Sequence, residues 1–223
     1  MSQTTRPKWN GPMPGILGEI VREAEPHTEA DPIGMLTSLL CGAGVCVGSG
    51  PHIKVGSTKH PLLIWPLLLG RTNNGRKGDA VNTAEDFLLS SYPDAKGFTT
   101  SGLSSGEGLV ERLSTGDVDS EGKPHIRTSD DYRLWITEPE FSSVMARSKR
   151  DGNTLSPILR EAWDGHGLSV LNRKALTAEE SHMGVIGCVT PDEFRLRKTE
   201  SDQTSATGTA PAHTRQQGEP WPM

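Results

Sequence analysis

The sequence predicts an α/β fold: a mainly parallel sheet with helices on its faces, behind a helical N-terminal segment. Three observations carry this. Short apolar runs bounded by turn residues alternate with segments of helical periodicity, the order that builds βαβ units. The first fifty residues hold two helical patterns and no strand pattern. Near the other end, "HMGVIGCVT" places Ile186, Cys188 and Val189 in one apolar run.

In chain order, residues 1–14 form a Pro/Gly-rich leader, expected to be flexible. "ILGEIVREAEPH" puts Ile16, Leu17, Ile20 and Val21 on one helical stripe. Pro32 suits the first position of a second helix capped by Asp31. That helix, "PIGMLTSLLCGAGVCVG", is apolar on nearly all sides, which predicts burial. "HIKVG" reads as a short strand. "PLLIWPLLLG" reads as another, with Pro66 near an end or bulge. Asp79 is the expected N-cap of a helix over "AVNTAEDFLLSSY". "KGFTTSGLSSGEGLVERLS" reads as a polar loop leading into a helix over 107–113, and "STGDVDSEGKPHIRTSDD" as an exposed excursion. "YRLWITEPEF" is a strand ending in Glu138 and Glu140. Helical patterns follow over 141–149 and 154–163, then strand patterns in "LSVLNRK" and "HMGVIGCVT". From Arg195 to Met223 almost nothing can pack, so the tail is expected to be disordered. One domain over 15–194, its helical part 15–50, is the expected organisation.

Composition narrows the function classes. The 223 residues are 33% hydrophobic and 5% aromatic, with 25 Gly and 16 Pro. A net charge of −5 argues against a globally basic nucleic-acid binder, while leaving a local basic face open. Three cysteines, Cys41, Cys46 and Cys188, lack metal spacing and fit reduced thiols. The N-terminus has no signal-peptide pattern, and the most apolar run is far shorter than the roughly 20 residues of a membrane span. A cytoplasmic protein without membrane contact is the expectation.

The stretch "LLLGRTNNGRKGDAVNTAEDFL" bears on function. A phosphate-cradling loop has the pattern G-x-x-x-x-G-K-[ST] between a buried strand and a helix, with backbone amides around the phosphates and lysine on the outer ones. Gly70 and Gly75 have the right separation. Arg76 stands where lysine is expected, Lys77 comes one residue late, and Gly78-Asp79 replaces the hydroxyl. The candidate nucleotide-binding residues are therefore Gly70, Asn74, Gly75, Arg76, Lys77 and Gly78. Asp79 competes with phosphate for the amides, or else holds a metal. A capped strand-to-helix turn with a solvated basic pair is the plain alternative. The second half of such a site is an acid ending another buried strand. Glu138 is the candidate there, for catalysis and for Mg²⁺, with Glu140 orienting an attacking water. If Pro139 leaves the strand extended, alternation puts both carboxylates on one face. Thr190 is either a polar sensor near the γ-phosphate or, the plainer alternative, an ordinary strand-end threonine.

"GEIVREAEPHTEADPIGMLTSLLCGAGVCVGSGPHIKV", "GRTNNGRKG", "SGLSSGEGLV", "EPEFSSVM", "GNTLSPILREAWDG" and "IGCVTPDEF" occur in this order between 15 and 194. Together they resemble an uncharacterised P-loop NTPase-like domain family of phage- and plasmid-encoded primase/helicase replication proteins. The resemblance implies a RecA-like core binding ATP with Mg²⁺, and hydrolysis and DNA transactions in company with a primase or other replication protein, or as a homo-oligomer. Gly70, Gly75, Lys77 and Gly78 match the family's loop; Glu138 and Glu140 match its "EPEF" block. Two departures stand out: Asp79 where the family has a small or hydroxyl residue, and the polar tail where the family has further strands and an Asn-Arg element. The resemblance therefore implies a core shortened at its C-terminal end and impaired in catalysis.

Two other classes stay open. A non-enzymatic DNA- or partner-binding remnant would use the basic run "ARSKRDG" with Arg71, Arg76 and Arg133. A serine hydrolase would use Ser104 of "GLSSG", a formal G-x-S-x-G match, with partners among Asp130, Asp164, His166 and His182. "DAKGFTTS" before it, however, offers only Ala95 and Phe98 as apolar residues for the buried strand that this motif needs.

Overall fold

The chain's computed structural model describes residues 11–71, 76–114, 131–170 and 176–197. The expected excursion at 115–130, residues 198–223 of the expected tail and most of the leader lie outside that set. Among the described residues, no helix is long and apolar enough to cross a membrane.

Four strands make the main sheet: β3 (Leu67–Leu69), β4 (Thr99–Thr100), β5 (Arg133–Glu138) and β8 (His182–Val189). Their order is β3-β8-β5-β4, and every neighbouring pair is parallel. The expected parallel α/β sheet with flanking helices is thus present. All eight residues of β8 are buried, as expected for a central strand covered on both faces.

One face carries α1 (Gly15–Ala24), α2 (Pro32–Val47) and α3 (Lys77–Ser91). Its core unites Met35, Leu39 and Val45 of α2, Ala80 and Ala84 of α3, and the sheet residues Trp135, Ile186 and Cys188. Asp31 caps α2, its Oδ1 accepting from the amides of Ile33 and Gly34 at 3.0 Å each. Small residues let α2 lie close to the sheet. A Cβ added to Gly184 would stand 2.6 Å from Val45 Cγ2. Of the stripe expected in α1, Val21 is buried and Ile16 is exposed.

The other face carries α4 (Gly106–Leu113), α5 (Phe141–Ser148) and α6 (Leu155–Trp163). Here Leu109, Leu113, Val144, Leu155 and Leu159 pack on Leu134, Ile136, Met183 and Val185. Strand alternation divides β5 between the two cores, Trp135 to one and Leu134 and Ile136 to the other.

Several expectations need correction. "PLLIWPLLLG" contributes only three residues to the main sheet: Pro66 has no N–H for the ladder, although its carbonyl accepts from Gly187 N at 3.0 Å. "HIKVG" becomes β1 (His52–Val55), but it pairs antiparallel with β2 (Thr58–Pro61) outside the main sheet. "LSVLNRK" supplies β6 (Leu168–Val170), which pairs antiparallel with β7 (Leu176–Ala178), also outside it. Asp79 is not the N-cap of α3. The helix starts at Lys77, with Arg76 in the cap position. A last helix, α7 (Pro191–Arg197), runs three residues into the stretch expected to be disordered.

At the amino end of β8, buried His182 shares a hydrogen bond of 2.9 Å with the Gly44 carbonyl. Burial pushes its pKa down from the ordinary histidine value. The unfolded chain therefore binds a proton that the folded chain resists, and stability falls as pH drops through about 6.5. Thermal unfolding between pH 8 and 5.5 should show this loss, and His182→Gln should flatten it.

Candidate functional site

A cavity of about 600 Å³ opens at the carboxyl ends of β3, β8 and β5. The turn after β3 and the start of α3 bound it with Arg71, Arg76, Lys77, Gly78 and Asp79. Pro139, Glu140, Ser142 and Ser143 come from the β5–α5 junction, Cys188 and Val189 from β8, Thr190 from just beyond it, and Glu193 and Arg197 from α7. The connection leaving β3 runs along one face of the sheet and that leaving β5 along the other. In open α/β sheets such a switch point, beyond the carboxyl ends of the strands, is where ligands bind.

The turn is anchored at both ends. Gly70 N donates to Val189 O at 3.2 Å. Lys77, the first residue of α3, sends its ammonium back to the Gly70 carbonyl. Arg76 has φ 43°, the only positive φ outside glycine among the described residues. A side chain in that region costs about 1–2 kcal/mol, and such strain collects at binding loops. The Arg76 guanidinium pairs with Glu29, and with Asp79 at 3.7 Å. These ion pairs are exposed and contribute little. Arg76→Gly should thus hold or raise folding stability, by about 1 kcal/mol in urea titration. Asn74 and Gly75 lie outside the described residues.

Two helix N-termini meet at the cavity, those of α3 and α5, and neither has a side-chain cap. Both α2 and α4 are capped, by Asp31 and by Ser105. Uncapped N–H groups at a helix start favour an anion. A Cβ added at Gly78 would meet nothing within 4 Å, so the backbone there is approachable.

The two candidate acids diverge. The strand stops at Glu138 and the chain turns at 139–140, so the alternation that would align them is broken. Glu138 is buried, its Oε1 accepting from Leu103 N at 2.5 Å, and it does not line the cavity. Glu140 is exposed and lines it. Asp79 lines it too. Thr190 and Glu193 form a reciprocal capping box: Thr190 Oγ1 accepts from Glu193 N, and Glu193 Oε2 accepts from Thr190 N, both at 3.2 Å. The Thr190 hydroxyl donates to the same carboxylate at 2.7 Å, and Ser142 Oγ donates to Glu193 Oε1 at 3.3 Å. Hydrogen bonds from Thr190 hold the Glu193 carboxyl below the usual carboxylate range. The Cys188 thiol is pushed up by burial, while Lys77 pulls the other way.

Glu193 escaped the sequence reading, although the T-x-x-E signature of "TPDE" could have marked it. Arg197 escaped it as well, because that residue falls in the stretch read as tail. Arg133 is committed elsewhere: its guanidinium bonds to Asp131 and to the Cys46 carbonyl and lies 4.4 Å from the centre of the Phe98 ring. Ser104 is exposed after β4, whereas His182 sits buried at the amino end of β8, the opposite end of the sheet. Asp164 and His166 are exposed, and Asp130 lies outside the described residues. Among the described residues, no group of three or more His, Cys, Asp or Glu is arranged to hold a metal. Compared with protein-family models, curated proteins and solved structures, the chain matches none of them.

Proposed function

We propose that this cavity binds a nucleoside triphosphate, ATP with Mg²⁺, and that the chain is the RecA-like nucleotide-binding domain of a mobile-element DNA replication protein. One observation carries the reading. Lys77, the first residue of α3, bonds back to the Gly70 carbonyl beside the cavity at the carboxyl ends of three parallel strands, with the α3 N-terminus facing in. Four cations, Arg71, Arg76, Lys77 and Arg197, face three carboxylates, Asp79, Glu140 and Glu193. That balance suits a polyanion that brings its own divalent cation.

In this reading the α3 amides and Gly78 cradle the phosphates, and Lys77 leaves the Gly70 carbonyl to neutralise them. Mg²⁺ keeps several waters and needs only one or two carboxylates besides the phosphates. Asp79 and Glu140, which both line the cavity, can supply these. Glu140 is also the base placed to orient an attacking water. Glu138 acts indirectly, tying the loop at Leu103 to the end of β5. The resemblance of the loop and "EPEF" blocks to helicase/primase-associated proteins supports the choice of ATP and DNA replication over other phosphate chemistry.

The test is thermal unfolding of the full chain with and without Mg·ATP, beside Mg·GTP and inorganic phosphate. A rise in midpoint that saturates with Mg·ATP supports the reading. No rise at millimolar nucleotide overturns it.

A further inference from the structure

We propose that the β1–β2 hairpin is a DNA contact, a basic ribbon that grips the phosphate backbone of a duplex at the opposite end of the sheet from the nucleotide cavity. The hairpin turns at Gly56, whose φ of 61° suits a two-residue loop. Its residues are exposed except Pro61, which is half-buried. It forms a two-stranded sheet of its own.

The register holds the clue. Lys54 stands directly opposite Lys59. Like charges in that position destabilise a ribbon, and two strands alone are marginal to begin with. A dense line of negative charge turns this cost into binding, and duplex DNA carries one charge per roughly 1.7 Å of axis. Between Asp31 and Asp79 the sequence contains no carboxylate and five cations, Lys54, Lys59, Arg71, Arg76 and Lys77, in a chain of net charge −5. No neighbouring acid in sequence therefore answers the two lysines.

Alternation puts His52, Lys54 and Lys59 on one face, and Ile53, Val55, Thr58 and His60 on the other. Ile53 and Val55 are 64% and 62% exposed. An anionic bilayer that took up this apolar face would leave the lysines pointing away from it. A duplex groove is wide enough for a two-stranded ribbon and has phosphates along both walls. The root of the hairpin is fixed: a Cβ at Gly44 would meet the Leu62 carbonyl at 2.0 Å, and Gly44 also bonds to His182, the first residue of β8. The ribbon thus leaves from the amino end of the sheet, away from the cavity.

The experiment is fluorescence anisotropy of a labelled 20-base-pair duplex with the full chain, without nucleotide, across a salt series. The expected result is salt-sensitive binding that Lys54→Ala/Lys59→Ala weakens roughly tenfold, with a log–log salt slope shallower by about 2. Lys54→Arg/Lys59→Arg should retain binding, and the Ala pair should keep the wild-type unfolding midpoint and Mg·ATP response. Absence of duplex binding at low salt overturns the proposal. So does an unchanged slope in the Ala variant, or lysine-dependent binding to phosphatidylserine vesicles without DNA binding. Because nucleotide is left out, a negative result with ATP leaves this outcome readable.

Discussion

Lys77→Ala should weaken Mg·ATP binding about ten- to a hundredfold while leaving the fold intact. The ammonium would move from a carbonyl to a phosphate, and charged hydrogen bonds of that kind contribute about 1.5–3 kcal/mol. Its present bond to Gly70 closes one turn at the cavity edge, so the loss in unliganded stability should be small. The midpoint rise with nucleotide follows the ratio of free ligand to Kd. At a fixed millimolar concentration the variant should therefore keep only a small part of the wild-type rise. Full retention of the rise would mean that the phosphates, if bound at all, sit elsewhere. Lys77→Arg should be intermediate, since a planar guanidinium cannot replace a compact ammonium in a tight loop.

Trp135→Ala should cost about 3–5 kcal/mol of folding stability, a large share of what a domain this size possesses. Trp135 is fully buried at the centre of the sheet, facing α2. The fit is close: a Cβ on Gly42 would stand 2.7 Å from the indole Cζ2. Its Nε1 is buried without a hydrogen-bond partner among the described residues. Trp135→Phe keeps most of the ring and removes that orphan donor, worth about 1–3 kcal/mol. The Phe variant should consequently lose far less than the Ala variant in urea unfolding. Equal losses would show that the core does not depend on filled volume at this position.

Much of the fold could be read locally. Asp31-Pro32 marks a helix start by capping chemistry, and the all-round apolar sequence that follows announces burial whatever covers it. The apolar run of β8 is equally plain. What escaped depends on pairing at a distance. β4 is two threonines within a polar stretch, recruited only because Thr99 and Thr100 lie alongside Trp135 and Ile136. The period of "LSVLNRK" cannot tell whether it joins the main sheet or folds back on Leu176–Ala178. At the candidate site, the loop residues were found because their chemistry is sequential. Alternation put Glu138 on the same face as Glu140, but the backbone turns at Pro139 and a partner 35 residues away takes the Glu138 oxygen. Strand periodicity does not survive a turn.

The brevity of β3 has a mechanical consequence. It ends the main sheet and holds to a single neighbour over only three residues, while β8 and β5 hold each other over six. Breaking three ladder positions detaches β3, whose Leu68 packs against the α2–α3 core, from β8. The part of the molecule that would have to admit and discharge a ligand is thus held by a short edge strand, so traffic through the cavity need not await a global opening.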